Sequence, residues 1–301
     1  MLKDIKQRKT IHSSLRFNKR LSLLLLAVCI IGVLASCVHS PTPSSNPEEV
    51  SSETISSSEP EEFSEDPPPY GEPVTPSADI LEKLSQSFPV GNPKGWLTIP
   101  GTTVDDAVLY SPENNDFYLD QRVNYQGKYD YSGLIFADFR NTLSSRVRLS
   151  RNTVIYGHNI ETNGSINRRF SQLLKYHDLS FAKENQFVHF STAEDEMVWQ
   201  IFASFTTDTD FYYIEPDPTD DGFMYIISEA YQRSDHFYDV EVGPRDKILT
   251  LSTCTYEYKT FGVARDDQRY VVMAKLLSPD DDLVPVNVYE NEHKKLPSFV
   301  K

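Results

Sequence analysis

Cys254 is the residue whose type and position most clearly predict chemistry. It is the only cysteine after position 37, and it ends a segment rich in β-branched and apolar residues that predicts a strand. Because side chains alternate along a strand, Leu249 and Leu251 should face one side and Ser252 the other, together with Cys254. A lone thiol at a strand end beside hydroxyls predicts a nucleophile rather than core packing.

A thiol nucleophile needs a base, and histidine is the usual one near neutral pH. Of the seven histidines, His158 is the strongest candidate, because it follows the predicted strand Thr153–Tyr156 after a single glycine. A strand end fixed by the core is a rigid place to present a ring, and Gly157 leaves room for a close approach. The alternative for His158 is an ordinary turn histidine. His236, in a predicted loop, is a second candidate base.

Amide and thioester chemistry also needs a group that stabilises an oxyanion. Arg269 begins a predicted apolar strand and would face the same end as Cys254 if the two strands are neighbours. Arg265 is the alternative, four residues earlier in the loop. A surface ion pair with Asp266 or Asp267 would give either arginine a purely structural role.

Short strands separated by turns predict that the folded part is mainly β, either a barrel or a sandwich. No βαβ alternation favours a parallel sheet. Helices are predicted at Asp79–Ser87, Phe170–Tyr176 and Gly222–Arg233. The last of these has Asp220 or Asp221 in position as its N-cap. The predicted strands are Gly95–Ile99, Ala107–Tyr110, Gly133–Phe136, Thr153–Tyr156, Gln186–Phe190, Met197–Phe205, Lys247–Thr253 and Arg269–Leu276.

The N-terminal part predicts a tether that holds the folded part outside a membrane. Residues 1–20 are basic and Leu21–Cys37 carry no charge, a pattern typical of an export signal or anchor. Two interpretations stay open: an uncleaved anchor, or a lipoprotein signal, because Leu34–Cys37 resembles a lipobox. Prolines, serines and acidic side chains predict a disordered linker after it. We therefore expect a signal or anchor at 1–37, a linker at 38–78, the catalytic domain at 79–280 and a tail at 281–301.

Charge limits the partners and ligands of the folded part. The chain has a formal net charge of −15, which argues against binding to nucleic acid. The acidic stretches 215–221 and 279–282 suggest Ca²⁺, but they lack a fixed ligand spacing. We therefore expect solvated loops there and no cofactor. An exported domain with one thiol forms no internal disulfide, so Cys254 needs another role.

Three separated motifs resemble those of the sortases and occur in the family's order. They are the cysteine strand, the histidine turn and the arginine strand: Thr250–Cys254, Gly157–Asn159 and Arg269–Val272. Gly95–Gly101 and Gly133–Asp138 resemble the early strands, so the likeness covers roughly residues 80–277. The long connection from Phe205 to Lys247, with its predicted helix, resembles class B members.

The resemblance implies a closed eight-stranded β-barrel with peripheral helices, one of them in the connection before the cysteine strand. It implies a cysteine transpeptidase that cuts a sorting signal in exported proteins and transfers it to an amine of a peptidoglycan precursor or a pilin. Cys254, His158 and Arg269 would be catalytic, the first two as a thiolate–imidazolium pair. The supporting positions would be Ser252, Thr253 and Asn159. A hydrolytic relative and a non-catalytic binding lipoprotein are the alternatives.

Overall fold

The structure, a computed structural model, describes residues 69–86, 92–160 and 168–300. The chain divides into two compact units, Met1–Glu62 and Phe63–Lys301. The first unit lies wholly outside the described residues, and so do the expected anchor and Cys37. Among the described residues, no helix has the length and apolar character needed to cross a membrane.

The described part of the chain forms twelve strands, eight of which close into a barrel. In chain order the strands are β1 (Pro93–Thr98), β2 (Asp105–Leu109), β3 (Ile135–Ala137), β4 (Asn152–Tyr156), β5 (Phe187–Thr192), β6 (Val198–Asp208), β7 (His236–Tyr238), β8 (Ile248–Cys254), β9 (Lys259–Thr260), β10 (Val263–Ala264), β11 (Gln268–Leu276) and β12 (Val288–Glu290). The barrel order is β1-β2-β3-β4-β8-β11-β6-β5, and β7–β12 and β9–β10 form two small sheets. The predicted closed eight-stranded barrel is confirmed, and each barrel strand overlaps a predicted strand.

Helices lie around the barrel, and one of them differs in type from an ordinary α-helix. They are α1 (Ala78–Gln86), α2 (Asp116–Leu119), a 3₁₀ helix (Arg169–His177), α3 (Leu179–Glu184) and α4 (Asp220–Arg233). The N-cap of α4 is Thr219, whose hydroxyl accepts a hydrogen bond from the Gly222 N–H at 3.2 Å. The expected caps Asp220 and Asp221 instead occupy the first turn, where their charges favour the helix dipole.

The barrel is mixed, with two parallel strand pairs, β2–β3 and β4–β8. Neither parallel pair was predicted, because the sequence shows no βαβ alternation. Strand β8 runs parallel to β4 because the chain between them passes through β5, β6 and α4 before it returns. This crossover brings the end of β8 beside the end of β4.

Two apolar clusters lie on opposite sides of the cysteine strand. Leu249 and Leu251 belong to the cluster inside the barrel. On the outer side, Val271 of the neighbouring strand packs with Phe223 of α4. The predicted alternation is therefore confirmed: the leucines face the barrel core, and Cys254 lies on the outer side.

We expected a tail at 281–301, but the described residues 281–300 pack against the domain. β12 pairs with β7, and Val288 is 2% exposed. The Lys294 ammonium donates to the Asp235 carboxylate at 2.6 Å. These contacts hold the segment in place, while the domain limits themselves stay a prediction.

Candidate active site

The strand register places Cys254 directly beside Arg269. β8 and β11 are antiparallel, and their Cα partners include Cys254 with Arg269 and Ser252 with Val271. Residues paired in a sheet project to the same side, so the thiol and the guanidinium share the outer side of the barrel. The expected neighbourhood of the two strands is confirmed.

The parallel pairing of β4 with β8 brings His158 to the same barrel end. Tyr156 is the partner of Ser252, and two further residues along each strand lead to His158 and Cys254. The Thr253 hydroxyl donates to the Gly157 carbonyl at 2.7 Å and so fixes the residue that precedes the histidine.

Two glycines make this arrangement sterically feasible. A Cβ on Gly157 would lie 2.5 Å from the Phe170 ring, so the predicted close approach is present at this position. Gly133 has a φ of +64°, and a Cβ there would lie 2.7 Å from Cδ2 of His158. Only glycine fits both the backbone angle and the space.

A cavity of about 250 Å³ opens beside these residues and is lined mainly by apolar and aromatic side chains. Its wall includes Cys254, His158 and Arg269. Its roof comes from residues 209–214, in the connection between β6 and α4. The remaining lining residues are Asn115, Leu119, Phe136, Tyr156, Gly157, Ser252 and Thr253. The chemistry of the lining suits a short extended peptide with apolar side chains.

The His158 ring is held neutral in the free protein. Burial, followed by the positive charge of Arg122, lowers the pKa of His158 to about 4, against weaker opposing effects of the Leu119 carbonyl and Asp120. Its Nε2 atom is buried and has no hydrogen-bond partner among the described residues. The lowered pKa favours the uncharged imidazole near pH 7, and its free nitrogen is available to take a proton.

Arg269 and Arg265 differ in their partners. Arg265 pairs with Asp267 and lies over the Phe299 ring. Arg269 donates from Nη1 to the carbonyls of Asp266 and Gln268, at 2.9 and 2.8 Å, and pairs with no carboxylate in the described part of the chain. Two backbone acceptors thus fix the Arg269 side chain while its charge stays available at the cavity wall.

The supporting positions have different surroundings. The Ser252 hydroxyl lies 2.8 Å from the Tyr213 hydroxyl. Ser252 and Thr253 line the cavity, whereas Asn159 lies outside its lining. Oδ1 of Asn159 is buried with no partner among the described residues.

Tyr213 was not predicted as a site residue. Its hydroxyl contacts the Ser252 hydroxyl, and burial raises its pKa to about 12. Asn115, Leu119 and the roof residues were also missed. They lie in loops and in a four-residue helix, and no spacing rule links them to Cys254. The length of the connection after Phe205 was the only signal of a roof.

The other candidates have structural partners. His236 lies in β7, 3% exposed, with its Nε2 atom 2.9 Å from the Tyr176 carbonyl. In the acidic stretch 215–221, Asp217 accepts from the Ser150 hydroxyl at 2.9 Å, and Asp220 pairs with Arg151. Among the described residues, no group of three or more metal-binding side chains could hold an ion.

Comparisons with known proteins agree with this geometry. A Sortase domain model matches residues 97–277. The chain is 37% identical over 201 residues to Sortase B of Listeria monocytogenes, covering 66% of this chain and 73% of that protein. Two solved structures are also similar. Sortase B from Listeria monocytogenes has a TM-score of 0.52 and 34% identity, over 65% of this chain and 99% of the other. A Staphylococcus aureus sortase B–substrate complex has a TM-score of 0.53 and 28% identity, over 67% and 83%.

A closed mixed barrel of this topology, with a cysteine at the end of β8, defines a cysteine transpeptidase fold. The chain belongs to the sortase family, and its relatives place it in class B. The resemblance drawn from the three motifs is thereby confirmed.

Proposed function

We propose that this chain is a membrane-tethered transpeptidase that cuts a short sorting signal in exported proteins and joins the new carbonyl end to an amine. The observation that carries the proposal is the strand register, which brings Cys254, His158 and Arg269 to one cavity. Each of the three has a free functional group there, as a peptide-cleaving site needs.

In the first step, the Cys254 sulfur attacks the carbonyl carbon of the signal's Thr-X bond. Neutral His158 takes the thiol proton, a sulfur–carbon bond forms, and the carbonyl electron pair moves onto oxygen. Arg269 stabilises the resulting oxyanion, since its charge is unpaired by any described carboxylate. In this mechanism the thiolate–imidazolium pair forms during the attack.

In the second step, the His158 imidazolium gives its proton to the departing amine as the carbon–nitrogen bond breaks. A thioester to Cys254 remains. An incoming amine then attacks the thioester carbon while His158 takes a proton from that amine. A carbon–nitrogen bond forms, the carbon–sulfur bond breaks, and His158 returns the proton to sulfur, which regenerates the Cys254 thiol. Ser252 and Thr253 line the pocket in which the signal would lie, and Asn159 would support the histidine turn.

Two other functions are alternatives to the transpeptidase. One differs in the nucleophile that attacks the thioester, and the other forms no thioester. If water replaces the amine, the same site is a hydrolytic cysteine peptidase. A binding lipoprotein would keep the barrel without turnover. The unpartnered nitrogen of His158 favours a catalytic site, because a buried unbonded nitrogen costs stability unless it is used.

We propose that the N-terminal segment holds the domain on the outer face of the membrane, either as a helix at Leu21–Cys37 or through lipid on Cys37. The uncharged run behind a basic flank supports this location. The mechanism requires no cofactor, since sulfur, imidazole and guanidinium supply all its proton and charge transfers. The mass of the N-terminal peptide from membrane-extracted protein distinguishes the lipid from the intact anchor.

The function is tested with the detergent-extracted full chain and a library of peptides that contain a Thr-X bond. Products are resolved by mass, with and without triglycine as the added amine. We expect ligated product with triglycine and none from Cys254→Ala. The same products with and without triglycine would identify a hydrolase. Turnover by Cys254→Ala would refute the cysteine mechanism.

A further inference from the structure

An ion pair between a half-buried arginine and a buried aspartate, outside the cavity, joins the cavity's wall to its roof. Asp138, the last residue of the motif Gly133–Asp138, is 0% exposed and receives a two-pronged contact from Arg140. Nε of Arg140 donates to Oδ1 at 2.8 Å and Nη2 donates to Oδ2 at 3.0 Å. Neither residue lines the cavity in the described part of the chain, and the catalytic steps above do not use them.

On one side, Asp138 holds the wall of the cavity. It accepts from the Tyr156 hydroxyl at 2.8 Å and from the Asn115 side-chain amide at 3.1 Å. Oδ1 of Asn115 in turn accepts from the Phe139 N–H at 2.9 Å. Burial alone would raise the pKa of Asp138, but these hydrogen bonds and those from Arg140 outweigh it and hold the pKa below its usual range. Asp138 therefore stays charged and keeps both wall residues oriented.

On the other side, Arg140 holds the roof. Its Nη1 donates to the Tyr212 hydroxyl at 2.7 Å, and its Nη2 donates to the Ile214 carbonyl at 2.7 Å. Both residues line the cavity. One planar guanidinium thus contacts wall and roof together, which a lysine ammonium, with one nitrogen and no fork, cannot do.

We propose that Arg140 is a positioning residue that sets the width of the peptide groove by fixing the roof, residues 209–214, to Asp138. The inference rests on the proposed function, since the groove is taken to hold the sorting signal. Loosening the roof weakens binding of the peptide, while the cysteine, histidine and arginine at the strand ends keep their geometry because strand pairing fixes them. The effect therefore falls on KM rather than on kcat.

The test compares Arg140→Lys with Arg151→Lys in the full chain. Arg151 is a matched control, because it holds the same connection beyond the cavity through the Pro218 carbonyl and Asp220. For the best peptide of the Thr-X library, we expect Arg140→Lys to raise KM about tenfold with kcat within about twofold, and Arg151→Lys to change neither. Equal KM for Arg140→Lys and wild type, a fall in kcat alone, or the same KM rise in Arg151→Lys would overturn the proposal.

Tyr212→Phe adds a second, independent comparison. This change removes the hydroxyl that Arg140 contacts and that also donates to Glu215 at 3.4 Å. If the hydroxyl acts through Arg140, the change should raise KM in the wild-type background and have no further effect in Arg140→Lys. Additive effects of the two changes would show that Tyr212 acts without Arg140.

Amide hydrogen exchange separates this proposal from the proposed function. Exchange in peptides covering residues 209–214 should be about tenfold faster in Arg140→Lys than in wild type, with no peptide substrate present. If the wild type turns over no library member, the proposed function fails, and the exchange rates still decide whether Arg140 fixes the roof. Unchanged exchange would refute the role of Arg140 in either case.

Discussion

The two ends of strand β8 both lie beside polar and charged side chains, but these side chains are hydrogen-bonded to very different extents. Beside the first end, Arg146 is 1% exposed, and its three nitrogens donate to Asp195 and to the carbonyls of Tyr70, Glu196 and Leu277. At the far end, His158 has an unpartnered nitrogen and Arg269 has no described carboxylate partner.

This difference in hydrogen bonding indicates that one end of β8 contributes to stability and the other end to function. A buried polar group that is fully bonded has little capacity left for a ligand, whereas an unbonded one costs stability and can act on a substrate. The same strand therefore begins in a bonded network and ends in a reactive site. Changes at its start should affect unfolding, and changes at its end should affect turnover.

The largest effect is expected at the bonded end. Arg146→Ala leaves Asp195 0% exposed and without its main partner. Removing one member of a buried pair costs about 3–5 kcal/mol of unfolding free energy. Urea denaturation measures it, with Arg148→Ala as the control, because the Arg148 side chain is 68% exposed beside Glu194 and should cost at most about 1 kcal/mol. Equal losses in the two variants would contradict the comparison.

The next effect falls on turnover at the other end. Arg269→Ala should lower kcat/KM by about 10²–10³-fold, as loss of an oxyanion-stabilising group does, with a change of at most about 1 kcal/mol in unfolding free energy. Single-turnover formation of the acyl-enzyme, followed by mass, measures the loss. Arg265→Ala is the control, since its pair with Asp267 lies at the surface. If Arg265→Ala blocked acylation and Arg269→Ala did not, the assignment of the arginine would be wrong.

The sequence predicted the parts of this site that follow from strand periodicity. Cys254, His158 and Arg269 each lie at a strand end, so alternation and a shared barrel end were enough to group them. The roof was not predictable in this way. Tyr212 and Ile214 contact the wall through Arg140, from which they lie more than seventy positions away in sequence. No local pattern encodes such a contact.

The electrostatic state of the histidine was also beyond the sequence. A lone histidine near a thiol suggested an ion pair, but the low pKa of His158 results from burial and from Arg122, which lies in a loop on another part of the chain. Likewise, the N-cap of α4 is Thr219 rather than Asp220 or Asp221, because the Thr219 hydroxyl accepts from the Gly222 N–H. Both outcomes depend on side-chain positions that composition leaves open.

A smaller effect distinguishes the two ends by pH. Burial lowers the pKa of His158 to about 4 and that of Lys247, at the other end of β8, to about 8. Between each of these values and the ordinary one, only the unfolded chain holds the proton, so stability rises with pH. The windows are about pH 4–6.5 for His158 and about pH 8–10.5 for Lys247, each with a slope of at most about 1.4 kcal/mol per pH unit.

Urea midpoints measured across pH test these windows. His158→Gln should flatten the acidic window alone, and Lys247→Met the alkaline window alone. A variant whose curve keeps the wild-type slope in its own window would show that the residue does not titrate there.

The smallest effect concerns the hydrogen bond that joins the two strand ends of the site. Thr253→Val removes the donor to the Gly157 carbonyl and should cost about 0.5–1.5 kcal/mol of unfolding free energy. Because Gly157 precedes His158, the change should also lower kcat about three- to tenfold by loosening the histidine relative to the thiol.

Thr250→Val is the matched control, since the Thr250 hydroxyl links the same two strands by donating to Asn152 at 2.7 Å, farther from the cavity. It should destabilise the fold at least as much and leave kcat unchanged. Equal losses of kcat in both variants would mean that turnover follows overall stability, and that the two ends of β8 are not as separate as their hydrogen bonding indicates.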